Sequence, residues 1–188
     1  DQTGVTKMTV SRYLRDPQTV AEGTRERIAA AVEELGYIPN RAPDILSNAT
    51  SKAIGILIPS LSNQVFSAVI HGIEAVTRPA GYQTLLAHYG YSPEREEEQV
   101  ASLLSYNVDG LILSDTQHTE RTRKMIATAG IPVVETMDLP LSPIDMVVGM
   151  DHRAAARAMV TEMLRRGRRK VVYLGARLDV RTQLRMEG

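Results

Sequence analysis

Ala53-Ile54-Gly55-Ile56-Leu57-Ile58, closed by Pro59, is the run whose reading decides the fold. Six residues without a polar side chain, stopped by a proline, describe a short strand buried on both faces; a strand with one wet face would alternate. Toward the C-terminus the pattern then switches back and forth. Val65, Val69, Ile73 and Val76 recur at helical spacing. Residues 83–87 read as a second strand and 94–105 as a helix whose acidic start suits the positive end of its dipole. Residues 110–113, 132–135 and 146–149 read as further strands, with helices at 120–129 and 154–166 between and after them, and 171–174 as the start of a sixth strand. Strands joined through helices run parallel, so an α/β fold with a doubly wound parallel sheet is expected.

Ligands of such sheets sit beyond the carboxyl ends of the strands. That rule nominates Ser60, Leu61, Asn63 and Gln64 after the first strand, His88 and Tyr89 after the second, and Ser114, Asp115 and Thr116 after the third. Asp151 follows the fifth. Hydroxyl, amide and carboxylate groups are the inventory for holding a polyol. Each could equally serve as a loop cap or a surface group.

Upstream, Thr6 to Leu14 reads TKMTVSRYL. On a helix, Val10, Tyr13 and Leu14 share one face, and Lys7, Met8, Ser11 and Arg12 the other. The first face can pack on a small core. The second, with Thr9 nearby, offers groups suited to phosphates and base edges. Alone, the stretch fits an ordinary solvated helix as well. Gly4 can supply a turn before it, and Thr6 an N-cap. A further helix over 24–35 carries Ile28, Ala31, Val32 and Leu35 on its inner face, with Gly36 where a C-terminal cap belongs.

The run VTKMTVSRYLRDPQTVAEGTRERIAAAVEELGYIPNR resembles the headpiece of the lac-repressor (LacI) family of sugar-responsive transcription regulators. The resemblance extends over essentially the whole chain, and RAPDILSNATS, GYQTLLAHYGY and AGIPVVE are similar to gluconate-utilisation repressors. It implies a truncated helix-turn-helix headpiece at 1–38, a hinge at 39–51, a periplasmic-binding-protein-like N-terminal effector subdomain at 52–170, and the start of an incomplete C-terminal subdomain at 171–188. It implies DNA contacts from Thr6, Lys7, Met8, Thr9, Ser11, Arg12, Asn40 and Arg41, and from Leu46 as a minor-groove wedge, since apolar wedges unstack and kink a base step. Pro43-Asp44 replaces the family's usual Ala-Arg before the wedge; the proline can open a helix, but the aspartate repels phosphate. For the effector it implies Asn63, Phe66, Ser114, Asp151 and Arg185, although Gln64 stands where the loop usually has proline. Arg185 precedes the glycine of the family's sugar-gripping arginine motif, and a guanidinium pairs naturally with a sugar acid. The sequence reads as a piece of a longer protein at both ends.

Composition narrows the rest. With no cysteine among 188 residues, disulfides and thiolate metal sites are excluded. Twenty-two basic residues balance 22 acidic ones, and the headpiece is not basic overall, so any DNA contact must come from local clustering of Lys7, Arg12 and Arg41. The Arg165-Arg166-Gly167-Arg168-Arg169-Lys170 cluster ends a helix and reads as a solvated, dipole-favoured terminus. There is no Walker loop, no GxGxxG after a strand and no HExxH, so an enzyme is not expected, nor a cofactor. The expectation is a cytoplasmic, nucleoid-associated bacterial homodimer, with operator DNA and a sugar acid such as gluconate as partners and no membrane. A sugar-binding module without DNA function and a non-functional fragment are the alternatives.

Overall fold

A computed structural model describes residues 4–40, 50–175 and 177–188. Arg41 and Leu46, with most of the hinge reading, lie outside the described residues. The chain divides into two compact units, Asp1–Ala49 and Thr50–Gly188.

In the first unit, α1 spans Lys7–Arg15 and α2 spans Glu22–Glu34, joined by a short 3-10 turn at Pro17–Thr19. Thr6 is extended and accepts from Thr9 N at 3.3 Å, satisfying one of the helix's orphan donors. Asp16 does the same for the 3-10 turn through Gln18 N. Ile28 and Val20 are buried, with Val10, Tyr13, Leu14, Ala31 and Val32 half-buried around them. Leu35, expected on the inner face, is exposed. It is the C-cap, and the chain turns away there: Gly36 takes φ +56°, and Tyr37 N bonds back to Val32 O at 3.0 Å.

The second unit holds one parallel sheet in the order β2-β1-β3-β4-β5. The strands are β1 (Ala53–Ile58), β2 (Gln83–His88), β3 (Gly110–Leu113), β4 (Val133–Met137) and β5 (Met146–Gly149). The connecting helices are α3 (Gln64–Thr77), α4 (Pro93–Ser105) and α5 (Glu120–Ala129), with α6 (His152–Arg165) and α7 (Val180–Glu187) after β5. The apolar run of β1 lies between β2 and β3, and Ile56, Leu57 and Ile58 are fully buried. Asp109 anchors its start, its carboxylate accepting from Ser51 N at 2.8 Å and Lys52 N at 2.9 Å.

Two apolar clusters flank the sheet. Leu57, Leu111 and Leu113 pack with Val100 and Leu103 of α4 and Ile126 of α5. On the other side Ile56 and Ile58 pack with Phe66, with Ile70 and Ile73 alongside. The buried face of α3 is therefore centred on Phe66 and Ile73. Of the expected row, Val65 and Val76 are exposed. Phe66 offers the largest apolar surface on the helix, and its burial rotates the inward face by about one residue. Val69, Ile73 and Val76 instead help line an apolar groove of about 710 Å³ that also takes in Ile112, Val134 and Val148.

The expected sixth strand does not form: residues 171–175 adopt no regular structure and are exposed. A parallel strand is held by neighbours, and among the described residues no strand pairs with these. The chain next forms α7, which packs against α6 and is tied to it by an Arg153–Glu187 ion pair.

Candidate functional site

In the first unit, capping fixes what α1 displays. Thr6 and Thr9 are held to each other, hydroxyl to hydroxyl at 3.0 Å. Lys7, Met8, Ser11 and Arg12 are all exposed, Met8 by 74 %. The face of ammonium, thioether, hydroxyl and guanidinium is thus presented as its spacing predicts. Asn40 is exposed at the end of the described part of this unit.

In the second unit, parallel pairing aligns Ile58 with His88, Leu57 with Leu113, and Leu113 with Glu135. The residues that follow these strands converge on a cleft of about 420 Å³. Tyr89 and Tyr91 line it from the loop after β2, Asp115 and Gln117 from the loop after β3, and Asp138 from the end of β4. Glu96 of α4 contributes to its floor, and the segment leading into α7 brings Arg177, Asp179 and Arg181. Met137, just before Asp138, holds φ +82°, a conformation that costs a non-glycine residue about 1–3 kcal/mol.

The polar groups form a connected chain. Arg181 donates through Nε to Asp138 Oδ2 at 2.7 Å and through its terminal nitrogen to Ser114 O at 2.6 Å. His152 Nε2 lies 2.9 Å from Asp138 Oδ1, but its N–H axis is directed at Met137 O, 3.2 Å away. Arg185 donates to the other ring nitrogen, Nδ1, at 3.1 Å. Tyr89 donates its hydroxyl to Asp115 Oδ2 at 3.0 Å; burial first, then the Asp115 charge, pushes its phenol far above the usual range. Arg177 lies over the Tyr91 ring, 3.6 Å from its centroid, a cation–π contact.

Against the cleft floor sits a buried ionic triad. His118 Nδ1 is 2.8 Å from Glu96 Oε1, and its Nε2 is 3.3 Å from Glu135 Oε1, too poorly aligned for a hydrogen bond. Glu135 is 0 % and Glu96 1 % exposed. Glu135 Oε2 accepts from Ile144 N at 2.5 Å. Burial alone pulls the imidazole pKa down, but the Glu96 hydrogen bond and the charges of Glu96, Glu135 and Asp115 outweigh it, so His118 stands above its ordinary value.

The nominated effector residues divide by position. Asn63 and Asp151 are exposed N-caps, of α3 through Val65 N and of α6 through Ala154 N. Phe66 is 2 % exposed in the core, so its ring offers a ligand no surface; its packing fixes the start of α3, where Asn63 sits. Ser114 is buried, its carbonyl holding Arg181 and its hydroxyl without a partner. Arg185 meets His152, while Arg181, one turn earlier on the same face, lines the cleft. Of the wider strand-end nominations, Tyr89 and Asp115 line it. Glu96, Asp138, Arg177 and Arg181 were not foreseen. Glu96 was legible: with Val100 and Leu103 it falls at i, i+4, i+7, the inner face of α4, although its acidic neighbours make the segment look solvated. Among the described residues no group of His, Cys, Asp or Glu is placed to hold a metal ion, and no helix is long and apolar enough to cross a membrane.

The headpiece matches the family model for bacterial regulatory proteins of the lacI family over residues 1–40, and the second unit matches that for periplasmic binding proteins and the sugar-binding domain of the LacI family over residues 51–187. The chain belongs to the LacI family. It is 61 % identical to the HTH-type transcriptional regulator GntR of Escherichia coli over all 188 of its residues, which span 57 % of that relative. Among solved structures it is similar to a LacI-family transcriptional regulator from Silicibacter pomeroyi (TM-score 0.89, 40 % identity, 99 % of this chain and 56 % of that one). It is also similar to the lac repressor dimer bound to operator and the anti-inducer ONPF (TM-score 0.81, 26 % identity, 98 % and 57 %). The chain thus spans a little over half the length of the curated relatives it matches, and these are named as transcriptional regulators rather than enzymes.

Proposed function

We propose that this chain carries the DNA-reading and effector-sensing parts of a cytoplasmic transcriptional repressor of sugar-acid catabolism, released from its operator by gluconate or a close relative. The observation that carries the reading is that one chain joins a capped helix displaying Lys7, Met8, Ser11 and Arg12 to a strand-end cleft rich in fixed polar groups. The first is chemistry for base edges and phosphates, the second for a polyol. Arg177, Arg181 and Arg185 supply guanidinium groups for an acid, and the similarity to the regulator GntR supports the same direction.

Operator recognition is proposed to be that of a homodimer, two headpieces on two half-sites. The exposed Val65 and Val76 of α3 and Tyr106 at the end of α4 are apolar surface suited to such an interface. Residues 39–51 act as the hinge, with Arg41 and Leu46 at the DNA. For the effector to release DNA it must bind the released arrangement more tightly than the DNA-bound one, by a coupling of roughly 1–3 kcal/mol for ordinary induction. The test is to titrate the operator-bound, full-length regulator with gluconate, neutral hexoses and purines. Release by gluconate is expected. Release by a neutral sugar or a purine, with no response to gluconate, removes the sugar-acid reading and leaves the regulator reading standing.

A further inference from the structure

Of the buried carboxylate oxygens in this cleft, Glu96 Oε2 and Asp138 Oδ1 have no hydrogen-bond partner among the described residues. Asp138 Oδ2 accepts from Arg181 and its Oδ1 lies 2.9 Å from His152 Nε2, Asp115 accepts from Tyr89 and from Thr116 N, and one oxygen of Asp179 caps α7 through Thr182 N. Glu96 differs. Its Oε1 is fixed by His118, and its Oε2 is buried with no hydrogen-bond partner among the described residues. Buried acceptors are nearly always satisfied, and one left bare carries a desolvation cost. Glu96 also lies in the first turn of α4, beside a histidine held between two carboxylates. It is an immobilised acceptor lining a ligand-sized cavity.

We propose that Glu96 is a specificity-determining residue of this cleft, its Oε2 accepting a hydrogen bond from one hydroxyl of a polyhydroxylated ligand. The inference rests on reading the cleft as the effector site. A hydroxyl is the donor that the polyol reading of the cleft supplies; Arg177 and Arg181 line the same cleft beside Asp115, Asp138 and Asp179. The two arginines attract a carboxylate at the ligand's other end. Glu96 would then read the hydroxyl pattern while the arginines read the charge, and an acid lacking the right hydroxyl would leave a buried carboxylate unpaired.

The experiment is a calorimetric titration of the full-length regulator, wild type and Glu96→Gln, with gluconate and each of its monodeoxy analogues. In the wild type, one analogue should lose about tenfold or more in affinity, the scale of a hydrogen bond to a charged group. Glu96→Gln should lose a similar factor for gluconate but bind that same analogue within about threefold of gluconate, because the interaction is already gone. Losses that simply add for every analogue overturn the proposal and make Glu96 a structural residue or one bonded only to water. The wild-type series guards against a misfolded variant: a profile in which no single hydroxyl matters overturns it without any mutation. If the wild type ignores gluconate but binds a neutral polyol such as sorbitol, the gluconate reading fails while the Glu96 cycle is decided on the deoxy forms of that polyol. A wild type that binds neither overturns both.

Discussion

Arg185 donates through Nε to Nδ1 of His152 across 3.1 Å, and a guanidinium has no acceptor to offer in return. His152 Nδ1 is therefore the acceptor in this pair, which leaves Nε2 as the donor. The Nε2 proton faces Met137 O and lies against Asp138, which in turn grips Arg181. The two arginines of α7 are thus connected through a histidine and an aspartate, although neither touches the other's partner directly.

The first prediction follows from this chain. Arg185→Ala should weaken binding of an acid effector far more than of a neutral analogue of the same size, as measured by titration of the full-length regulator. An equal loss for both would show that Arg185 serves only to orient His152.

Lys7 and Met8 are the most direct candidates for base contact. Exchanging both should change which operator is preferred more than the total affinity for DNA, measured as binding to a panel of operator variants at fixed salt. If affinity instead falls by the same factor on every sequence, these side chains touch only phosphate.

Thr6 supplies the side-chain cap of α1. Thr6→Ala should lower headpiece stability by about 1 kcal/mol in denaturant melts. Thr6→Ser should recover most of it, since the hydroxyl and not the methyl makes the bond.

His118 gives a pH dependence of defined sign. Its folded pKa lies above the ordinary 6.5, so the native state holds the proton more tightly than the unfolded chain. The resulting stability is fully present below 6.5 and is lost as pH rises through the folded value. The melting temperature should therefore fall as the solution is taken from mildly acidic to alkaline, and His118→Gln should flatten that slope. Because the variant leaves Glu96 and Glu135 buried without the cation between them, it should also cost about 3–5 kcal/mol at acidic pH. A melting temperature that rises over the same window would mean that His118 is buried neutral.

Gly149 tests the wall behind the cleft. A Cβ there would sit inside the backbone carbonyl of Asp138. Gly149→Ala should thus push β4 and β5 apart at Met137 and Gly149, which are paired. A stability loss of about 1–3 kcal/mol is expected, with a weaker effector response because Asp138 holds Arg181. Unchanged stability would show that the strand ends yield without strain.

The five strands and the helices between them were legible in chain order because each rests on a local pattern, such as the unbroken apolar run of β1 and the acidic start of α4. The exposed face of α1 was legible for the same reason. What could not be read were pairings across many residues. Arg181 meets Asp138 over 43 positions, and His118 meets Glu96 over 22 and Glu135 over 17, and no periodicity along the chain reports such partners. The strand at 171–174 failed for a related reason: β propensity is satisfied only when a neighbour supplies the other half of each hydrogen bond.

That unpaired stretch has a consequence for handling the protein. Val171, Val172, Tyr173 and Leu174 form an uncharged, β-prone run, with Val172 and Leu174 more than nine-tenths exposed. Such a run is the kind of segment that recruits identical copies of itself into intermolecular sheets. Arg168, Arg169 and Lys170 stand immediately before it, where a block of like charge opposes that stacking. The basic cluster at the end of α6 then acts as a gatekeeper against such stacking, and neutralising it should raise the chain's tendency to aggregate, most of all at high salt, where the remaining repulsion is screened.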